Sequence, residues 1–172
     1  MGPSAEPDSP RMADLARLLG EAIAARDLIL LTGATTGAVH LIGKSARDAG
    51  AWHIGISPGA NETEHVERFQ LPTDACDALI YTGFGLKGRN VVLVRSCDIV
   101  IIFAGSIGGL NEFTIAYDEG KVIGSLKESG GAADEIERLV TTLQKKTKSR
   151  IVYDNDPKRL IDRCVKICET GQ

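Results

Sequence analysis

Short apolar runs alternate along the chain with longer stretches in which apolar residues recur at helical spacing. This alternation is typical of parallel β-strands joined by crossover helices. Several runs are apolar throughout, as expected for strands that are covered on both faces. The pattern predicts an α/β fold with a mostly parallel sheet, whose strands are Leu28 to Thr32, His53 to Ser57, Ala78 to Thr82, Ile99 to Phe103, Val122 to Leu126 and Ile151 to Tyr153.

Helix start signals agree with this arrangement. Ser9 before Pro10, and Asp156 before Pro157, each combine a capping side chain with a proline in the first helical turn. The first of these helices presents an apolar face made by Leu15, Leu18, Leu19, Ala22 and Ile23. A helix over residues 133 to 147 is predicted by an apolar stripe, and we expect the stretch KKTKSR to be its solvated end.

The segment NVVLVRS, residues 90 to 96, has the β-branched residues of a strand. The next predicted strand begins at Ile99, which leaves no room for a crossover. We therefore predict that residues 86 to 96 are helical.

The composition is that of an ordinary folded protein. The chain has 172 residues, of which 43% are apolar and 25% charged, and its net charge is -3. We expect one domain over residues 1 to 172, with residues 1 to 9 as an irregular lead-in. The charge gives no reason to expect nucleic acid or a membrane as partner, and no apolar stretch approaches the ~20 residues that span a bilayer.

Cysteines and histidines show no spacing typical of a metal site. The four cysteines are Cys76, Cys97, Cys164 and Cys168. The last two lie one helical turn apart on an apolar face, so core thiols are favoured over a metal or redox pair, and the expected compartment is the reducing cytoplasm. His40, His53 and His65 are interpreted as structural residues.

Three predicted strands end in loops that are marked by glycine. In an open parallel sheet, ligands bind beyond the carboxyl ends of the strands, where unpaired amides at helix N-termini favour phosphate. We therefore favour ligand binding over plain turn chemistry at these loops. The residues concerned are Gly33 and Gly37 in LLTGATTGAV, Pro58 and Gly59 in GISPGANETEH, and Gly105, Gly108 and Gly109 in IFAGSIGGLNEF.

The third loop is neither a Walker loop nor a standard dinucleotide fingerprint, because no Gly-Lys-Ser/Thr follows and its glycines are spaced differently. Glu112 is expected in the first turn of the helix that follows this loop. An acidic residue in that position is favoured by the helix dipole and needs no further function.

The stretch AGSIGGLNEF resembles the PGGxGTxxE signature of the Lonely Guy (LOG) phosphoribohydrolases. Its register is set by Gly105, Gly108 and Glu112. The same Rossmann-like superfamily includes the molybdenum cofactor carrier proteins, whose loops are similar. The upstream segment GLKGRNVVLVRSCDIVI also resembles this superfamily, with Arg89 on its arginine and Asn90 as in the carrier branch.

Two departures from the family pattern affect the interpretation. Gly109 replaces the threonine of the signature and removes a hydroxyl that could bond phosphate, which puts catalysis in more doubt than binding. Members also open with a central strand before a glycine- or serine-rich loop, whereas MGPSAEPDSP resembles the loop alone. Either the strand is missing or the sequence starts after it, and we predict a rearranged sheet or one completed by another chain.

The resemblance implies a Rossmann-like three-layer sandwich that forms a dimer or tetramer. It favours a binder of a phosphorylated small molecule, either molybdenum cofactor or a nucleoside monophosphate, without chemistry. The alternative is a hydrolase that cleaves the N-glycosidic bond of N6-modified nucleoside 5′-monophosphates, with Glu112 and Arg89 as catalytic residues. The implied binding residues are Gly33, Thr35, Thr36, Gly37, Pro58, Gly59, Arg89, Gly105, Ser106, Ile107, Gly108, Gly109 and Glu112.

Overall fold

The computed structural model describes residues 9 to 171, in which helices alternate with parallel strands. The predicted α/β class is therefore confirmed. The described chain divides into two compact units, an amino-terminal unit that ends at Ser96 and a carboxy-terminal unit that starts at Cys97. Each unit has its own sheet of three strands.

The amino-terminal unit contains three α-helices, three strands and a short π-helical turn. They are α1 (Pro10–Ala24), β1 (Leu30–Thr32), α2 (Gly37–Asp48), β2 (His53–Ser57), the π turn (Glu64–Arg68), β3 (Ala78–Tyr81) and α3 (Gly85–Arg95). The strands pair in the order β1-β2-β3, all parallel, with Leu30 opposite His53 and Ile54 opposite Ala78.

Small residues allow the helices of this unit to approach closely. A side chain on Gly20 of α1 would come within 2.7 Å of the carbonyl oxygen of Ile42 in α2. A side chain on Gly43 of α2 would collide with the ring of His53 on β2. Thus α2 packs between α1 and one face of the sheet, while α3 packs on β2 through its buried residues.

The carboxy-terminal unit contains the remaining strands and helices. They are β4 (Ile99–Phe103), α4 (Ile107–Asp118), β5 (Val122–Leu126), α5 (Gly131–Leu143), β6 (Arg150–Asp154) and α6 (Pro157–Thr170). The strands are parallel in the order β4-β5-β6, with Ile99 opposite Val122 and Ile123 opposite Ile151.

Neighbouring residues of β5 show that helices cover both faces of this second sheet. A side chain on Gly124 would lie 2.9 Å from Cys164 and 3.2 Å from Leu160, both on α6. The hydroxyl of Ser125 instead donates to the carbonyl oxygen of Ala133 on α5, at 2.6 Å. Because successive strand residues point to opposite faces, α5 and α6 lie on opposite sides and this unit has three layers.

Most predicted elements agree with the structure, and residues 86 to 96 are helical as expected. The first strand begins at Leu30 instead of Leu28, because the amide of Leu28 still donates to Ile23 at the end of α1. The predicted helix over residues 133 to 147 ends at Leu143. There Gln144 adopts a left-handed φ of 49°, and Tyr117 then donates to the carbonyl oxygen of Lys145, so KKTKSR is not a helix end.

Three side-chain predictions were wrong. Glu112 is the sixth residue of α4 and lies in its second turn, because the helix starts at Ile107. Cys164 is buried as expected, whereas Cys168 is exposed. Leu18, predicted on the apolar face of α1, is 41% exposed.

The expected irregular lead-in before Ser9 lies outside the described residues. The strands that are described form two hydrogen-bonded sheets of three strands each. The predicted lack of a first strand concerns residues before Ser9, which also lie outside the described part of the chain. Among residues 9 to 171, no helix combines the length and the apolar character needed to cross a bilayer.

Candidate functional site

The loop between β1 and α2 is shaped by contact between Gly33 and Arg89. A side chain on Gly33 would collide with the guanidinium group of Arg89, which extends from α3. Arg89 is 6% exposed, and its Nη1 donates to Oδ1 of Asn90 at 2.9 Å. The structure thus brings together two of the predicted site residues and places a buried positive charge against the first glycine of the loop.

The rest of this loop leads into α2 with an open N-terminus. Ala34 has a left-handed φ of 49°, and Gly37, the first residue of α2, has a φ of 70°. Thr36 occupies the N-cap position, but its side chain does not cap the helix. Thr35 is half-buried beside it. The first-turn amides of α2 have no acceptor within the helix and can serve a ligand.

The same hydroxyl turn closes all three strands of the amino-terminal unit. Thr32 accepts the amide of Ala34 at 3.1 Å, and Ser57 accepts the amide of Gly59 at 3.0 Å. In the third loop, Thr82 accepts the amide of Phe84 at 3.3 Å. Sequence reasoning missed these hydroxyls, although a Ser or Thr directly before a Gly or Pro turn is a recognisable signal.

Two buried histidines hold the first two hydroxyls in place. Nδ1 of His53 faces the carbonyl oxygen of Ala75 at 2.5 Å and therefore carries the proton. Its Nε2 then accepts from the hydroxyl of Thr32 at 2.8 Å. Burial lowers the pKa of His53 below its ordinary value of 6.5, so the ring is a neutral structural partner.

His65 holds the hydroxyl of Ser57 in the same way, except that Nδ1 is the acceptor and Nε2 the donor. Nε2 donates to the carbonyl oxygen of Pro72 at 3.1 Å, and Nδ1 accepts from Ser57 at 2.8 Å. The ring of His65, interpreted from the sequence as structural, is fully buried and turned toward the hydroxyl of Ser57.

The second glycine-marked loop is largely occupied by its own contacts. Pro58 and Gly59 are buried, and the single amide of Gly59 already donates to Ser57. Their carbonyl oxygens accept from Gly85 at 3.0 Å and from Gly83 at 2.9 Å. In this structure, the two residues support the neighbouring loop between β3 and α3.

In the carboxy-terminal unit, the loop after β4 is fixed in an unusual backbone conformation. Ala104 has a φ of 45° and Gly105 a φ of 81°. The amide of Ala104 donates to the hydroxyl of Ser129 at 2.8 Å. The first amides of α5 donate back to this loop, from Ala132 to Gly105 at 2.9 Å and from Ala133 to Ala104 at 3.0 Å. A non-glycine residue in the left-handed region costs roughly 1 to 2 kcal/mol and needs such support.

This loop leads into α4, whose N-terminus is not capped by a side chain of the loop. Ser106 is the N-cap residue, yet its hydroxyl makes no capping bond. Ile107 is 72% exposed and Gly108 half-buried. Gly109 is buried, but a side chain built on it would meet no atom of residues 9 to 171 within 4 Å apart from its chain neighbours and its own helix backbone. The glycine therefore faces a hollow beside the first-turn amides.

Glu112 lies on the same face of α4 as this hollow. It follows Gly109 by three residues and Gly108 by four, which is the spacing of side chains that share one helix face. Helical side chains lean toward the N-terminus, so Glu112 extends from the second turn in the direction of the glycines. Its side chain is 7% exposed.

Sequence and structure comparisons find relatives over most of the chain. A protein of Archaeoglobus fulgidus described as uncharacterized is 33% identical over 113 residues, which cover 66% of this chain and 69% of that protein. The molybdenum cofactor binding protein of the phototrophic bacterium Rippkaea orientalis is 26% identical. Its structure superposes with a TM-score of 0.74 over 97% of this chain and 93% of its own.

A second similar structure is that of the Moco carrier protein from Chlamydomonas reinhardtii. It is 26% identical, with a TM-score of 0.76 over 100% of this chain and 96% of the carrier. The predicted resemblance to the carrier proteins and the Rossmann-like fold are thereby confirmed. Residues 1 to 161 match the SLOG cluster4 family, and the chain belongs to that family.

Proposed function

We propose that this protein binds a phosphorylated small molecule, of molybdopterin or nucleotide type, and holds it without chemical change. The observation that carries the proposal is the hollow at Gly109. A buried glycine faces empty space directly at the N-terminus of a twelve-residue helix whose cap position makes no side-chain bond. The partial positive charge and unpaired amides at such a terminus favour a phosphate group.

The fixed conformation of the loop after β4 supports this proposal. Ser129 and the first turn of α5 hold Ala104 and Gly105 in left-handed conformations before any ligand arrives. A loop that is already ordered loses less conformational entropy when a ligand binds. We assign the phosphate seat to the amides from Ser106 to Gly109.

The amino-terminal unit offers a second loop with an attraction for anions. Arg89 places a fixed positive charge against Gly33, and the first turn of α2 adds unpaired amides after Thr36. We propose that Gly33, Thr35, Thr36 and Gly37 can hold an anionic group at this loop, which the charge of Arg89 attracts. Pro58 and Gly59 contribute by supporting the adjacent loop, since the Gly59 amide is already engaged.

The comparisons add the class of ligand. Two of the similar structures are those of a molybdenum cofactor binding protein and a Moco carrier protein, both matched over almost the whole chain. This similarity supports a cofactor-binding role, and the hollow at Gly109 supports a phosphate as the group recognised. The same proposal includes the cytoplasm, which the cysteine pattern favours, and a homo-oligomer, which the family resemblance implies.

The phosphoribohydrolase alternative rests on Glu112. Cleavage of an N-glycosidic bond passes through an oxocarbenium-like ribose, which a nearby carboxylate stabilises. Glu112 is buried and leans toward the proposed phosphate seat, so it could serve that reaction. The threonine of the hydrolase signature is absent, with Gly109 in its place, and this favours the binder.

One pair of measurements separates these two functions. Calorimetric titration with AMP, a phosphorylated pterin and unphosphorylated adenosine tests whether binding is saturable and needs the phosphate. Incubation with AMP and an N6-modified AMP, followed by chromatography, tests for released base. We expect phosphate-dependent binding and no base. Base release that disappears in Glu112→Ala would identify a hydrolase and overturn the binder.

A further inference from the structure

The loop between β3 and α3 presents an aromatic side chain at the carboxyl edge of the amino-terminal sheet. Phe84 lies three residues after the end of β3 and is the N-cap residue of α3. It is 66% exposed. Single exposed apolar residues are normal on protein surfaces, so the local structure around Phe84 decides whether it has a role. Its position is that of a ligand contact, because ligands bind at this edge of a parallel sheet.

The backbone around Phe84 is held in place by hydrogen bonds. The amides of Gly83 and Gly85 donate to carbonyl oxygens of the loop after β2, at 2.9 and 3.0 Å. The amide of Phe84 between them donates to the hydroxyl of Thr82 at 3.3 Å. Three consecutive amides therefore fix the base of the aromatic side chain. A contact that is ordered in advance loses little conformational entropy when a ligand binds.

Glycines surround Phe84 and leave space beside its ring. Gly83 and Gly85 flank it with φ angles of 69° and 67°. A side chain on Gly85 would meet no atom of residues 9 to 171 within 4 Å apart from its chain neighbours. Gly88 lies one helical turn after Phe84, and a side chain there would come within 2.9 Å of Cβ of Phe84. Because none of the three glycines carries a side chain, a flat molecule can approach the ring.

The helix that follows Phe84 also supplies a positive charge at this edge. Arg89 extends from α3 to Gly33 in the loop after β1. Only β2 separates β1 from β3, and neighbouring strands lie about 4.8 Å apart, so the two loops are about 10 Å apart. A nucleotide or a phosphorylated pterin carries its negative charge and its planar ring at opposite ends of a spacer of comparable length. The charge and the aromatic ring thus match the two parts of such a ligand.

We propose that Phe84 is the stacking platform for the planar ring of the ligand, a purine-type base or a pterin. An aromatic side chain can stack on any flat heterocycle, because each has a π-face. This inference rests on the proposed function and deepens it, since it names the residue that recognises the ring of the phosphorylated ligand.

Calorimetric titration of the full chain with AMP, a phosphorylated pterin and ribose 5-phosphate tests the platform, because only the last has no planar ring. Phe84→Ala should weaken the binding of at least one ring-bearing ligand by about 10- to 100-fold, the effect of losing a base–aromatic stack. The ligand with the larger loss identifies the ring. The affinity of Phe84→Ala for ribose 5-phosphate should stay within about twofold of the wild type.

Two further variants serve as controls for this titration. Phe84→Tyr keeps an aromatic face and should retain the affinity for the ring-bearing ligand. Val91→Ala is the matched control, because Val91 is an exposed apolar residue of the same helix that lies about two turns from Phe84. It should bind all three ligands like the wild type.

A fluorescent variant reports stacking directly. Trp52 is the single tryptophan of the chain, so Trp52→Phe combined with Phe84→Trp leaves one indole, at the platform. The ring-bearing ligand should quench its emission saturably, whereas ribose 5-phosphate should not.

Circular dichroism and thermal melting show that each variant is folded. A Phe84→Ala variant that binds AMP and the pterin as tightly as the wild type overturns the platform and leaves the phosphate binder intact. Equal losses of affinity for all three ligands would show that Phe84 only shapes the loop, and they overturn the platform as well. A wild-type chain that binds none of the three ligands would overturn the proposed function together with the platform.

Discussion

The guanidinium group of Arg89 occupies the space that a side chain on Gly33 would need. This contact joins the first loop of the amino-terminal unit to a buried charge on α3. It also gives Gly33 a packing requirement that is independent of any ligand. A glycine that a sequence pattern assigns to phosphate binding can therefore be fixed by its protein neighbour as well.

The first prediction follows from this contact. Gly33→Ala should destabilise the fold by about 1 to 3 kcal/mol, the usual cost of forcing extra atoms into a packed site. Urea unfolding measures this cost. In an Arg89→Ala background, the same substitution should cost much less, because the colliding group is gone. Equal costs in the two backgrounds would show that Arg89 is not the obstacle.

The second prediction uses the open space at Gly109. Gly109→Ala should leave stability unchanged or raise it by up to about 1 kcal/mol, since the new methyl group collides with no atom of residues 9 to 171 and alanine favours a helix. The methyl group would nevertheless enter the proposed phosphate seat and weaken ligand binding by at least about 10-fold, a loss of about 1.4 kcal/mol. Thermal melting and titration with AMP measure the two effects separately.

This prediction is informative because stability and binding should move in different directions. A Gly109→Ala variant that binds the ligand as tightly as the wild type would place the phosphate elsewhere.

The third prediction concerns the support of the loop after β4. Gly130 and Gly131 both have positive φ angles, 83° and 57°. Among the described residues, a side chain on Gly130 meets no atom within 4 Å, whereas one on Gly131 collides with the carbonyl oxygen of Gly105. Gly130 combines its positive φ with a ψ of -177°, a region almost restricted to glycine, so Gly130→Ala should cost about 1 to 3 kcal/mol of unfolding free energy from its backbone alone. Gly131→Ala should cost about 1 to 3 kcal/mol more.

Urea unfolding of the two variants compares them under the same conditions. Equal losses of unfolding free energy in the two variants would mean that the backbone at Gly105 moves to accommodate the new side chain. That result would contradict the rigid support of this loop by α5.

The fourth prediction is a dependence of stability on pH. Burial lowers the pKa of His53 in the folded protein, so the unfolded chain binds this proton more readily. The stabilisation is complete above the unfolded value of 6.5 and is lost as the pH falls below it toward the folded pKa. The slope contributed by this one group is at most about 1.4 kcal/mol per pH unit.

Unfolding free energies of the wild type and of His53→Gln, measured between about pH 7 and pH 5, test this assignment, because the carboxylates stay ionised over most of that range. The variant should show the shallower slope. Identical slopes would assign the acid sensitivity to other groups.

The order of strands and helices could be predicted from the sequence because each buried strand is a short apolar run between amphipathic helices. The segment over residues 86 to 96 shows the limit of propensity: its β-branched residues favour a strand, but the short distance to Ile99 decides for a helix. The end of α5 was beyond prediction, since it depends on Gln144 turning left-handed and on the tether from Tyr117.

The sequence predicted which loops form the candidate site, but not the hydrogen bonds and open spaces within them. The glycines mark where strands end, but only the folded structure shows that the amide of Gly59 donates to Ser57 and that Gly109 faces a hollow. The helical turn that contains Glu112 depends on where α4 begins. The small residues before the helix do not identify its first residue. The contact of Arg89 with Gly33 joins residues too far apart in the chain for any local pattern to reveal.

The most direct test of the central claim is a crystal structure of the protein with bound AMP or a phosphorylated pterin. The account predicts that the phosphate oxygens lie within hydrogen-bonding distance of the amides between Ser106 and Gly109, with the ligand intact. A phosphate bound elsewhere, or a hollow at Gly109 that stays empty under saturating ligand, would contradict it.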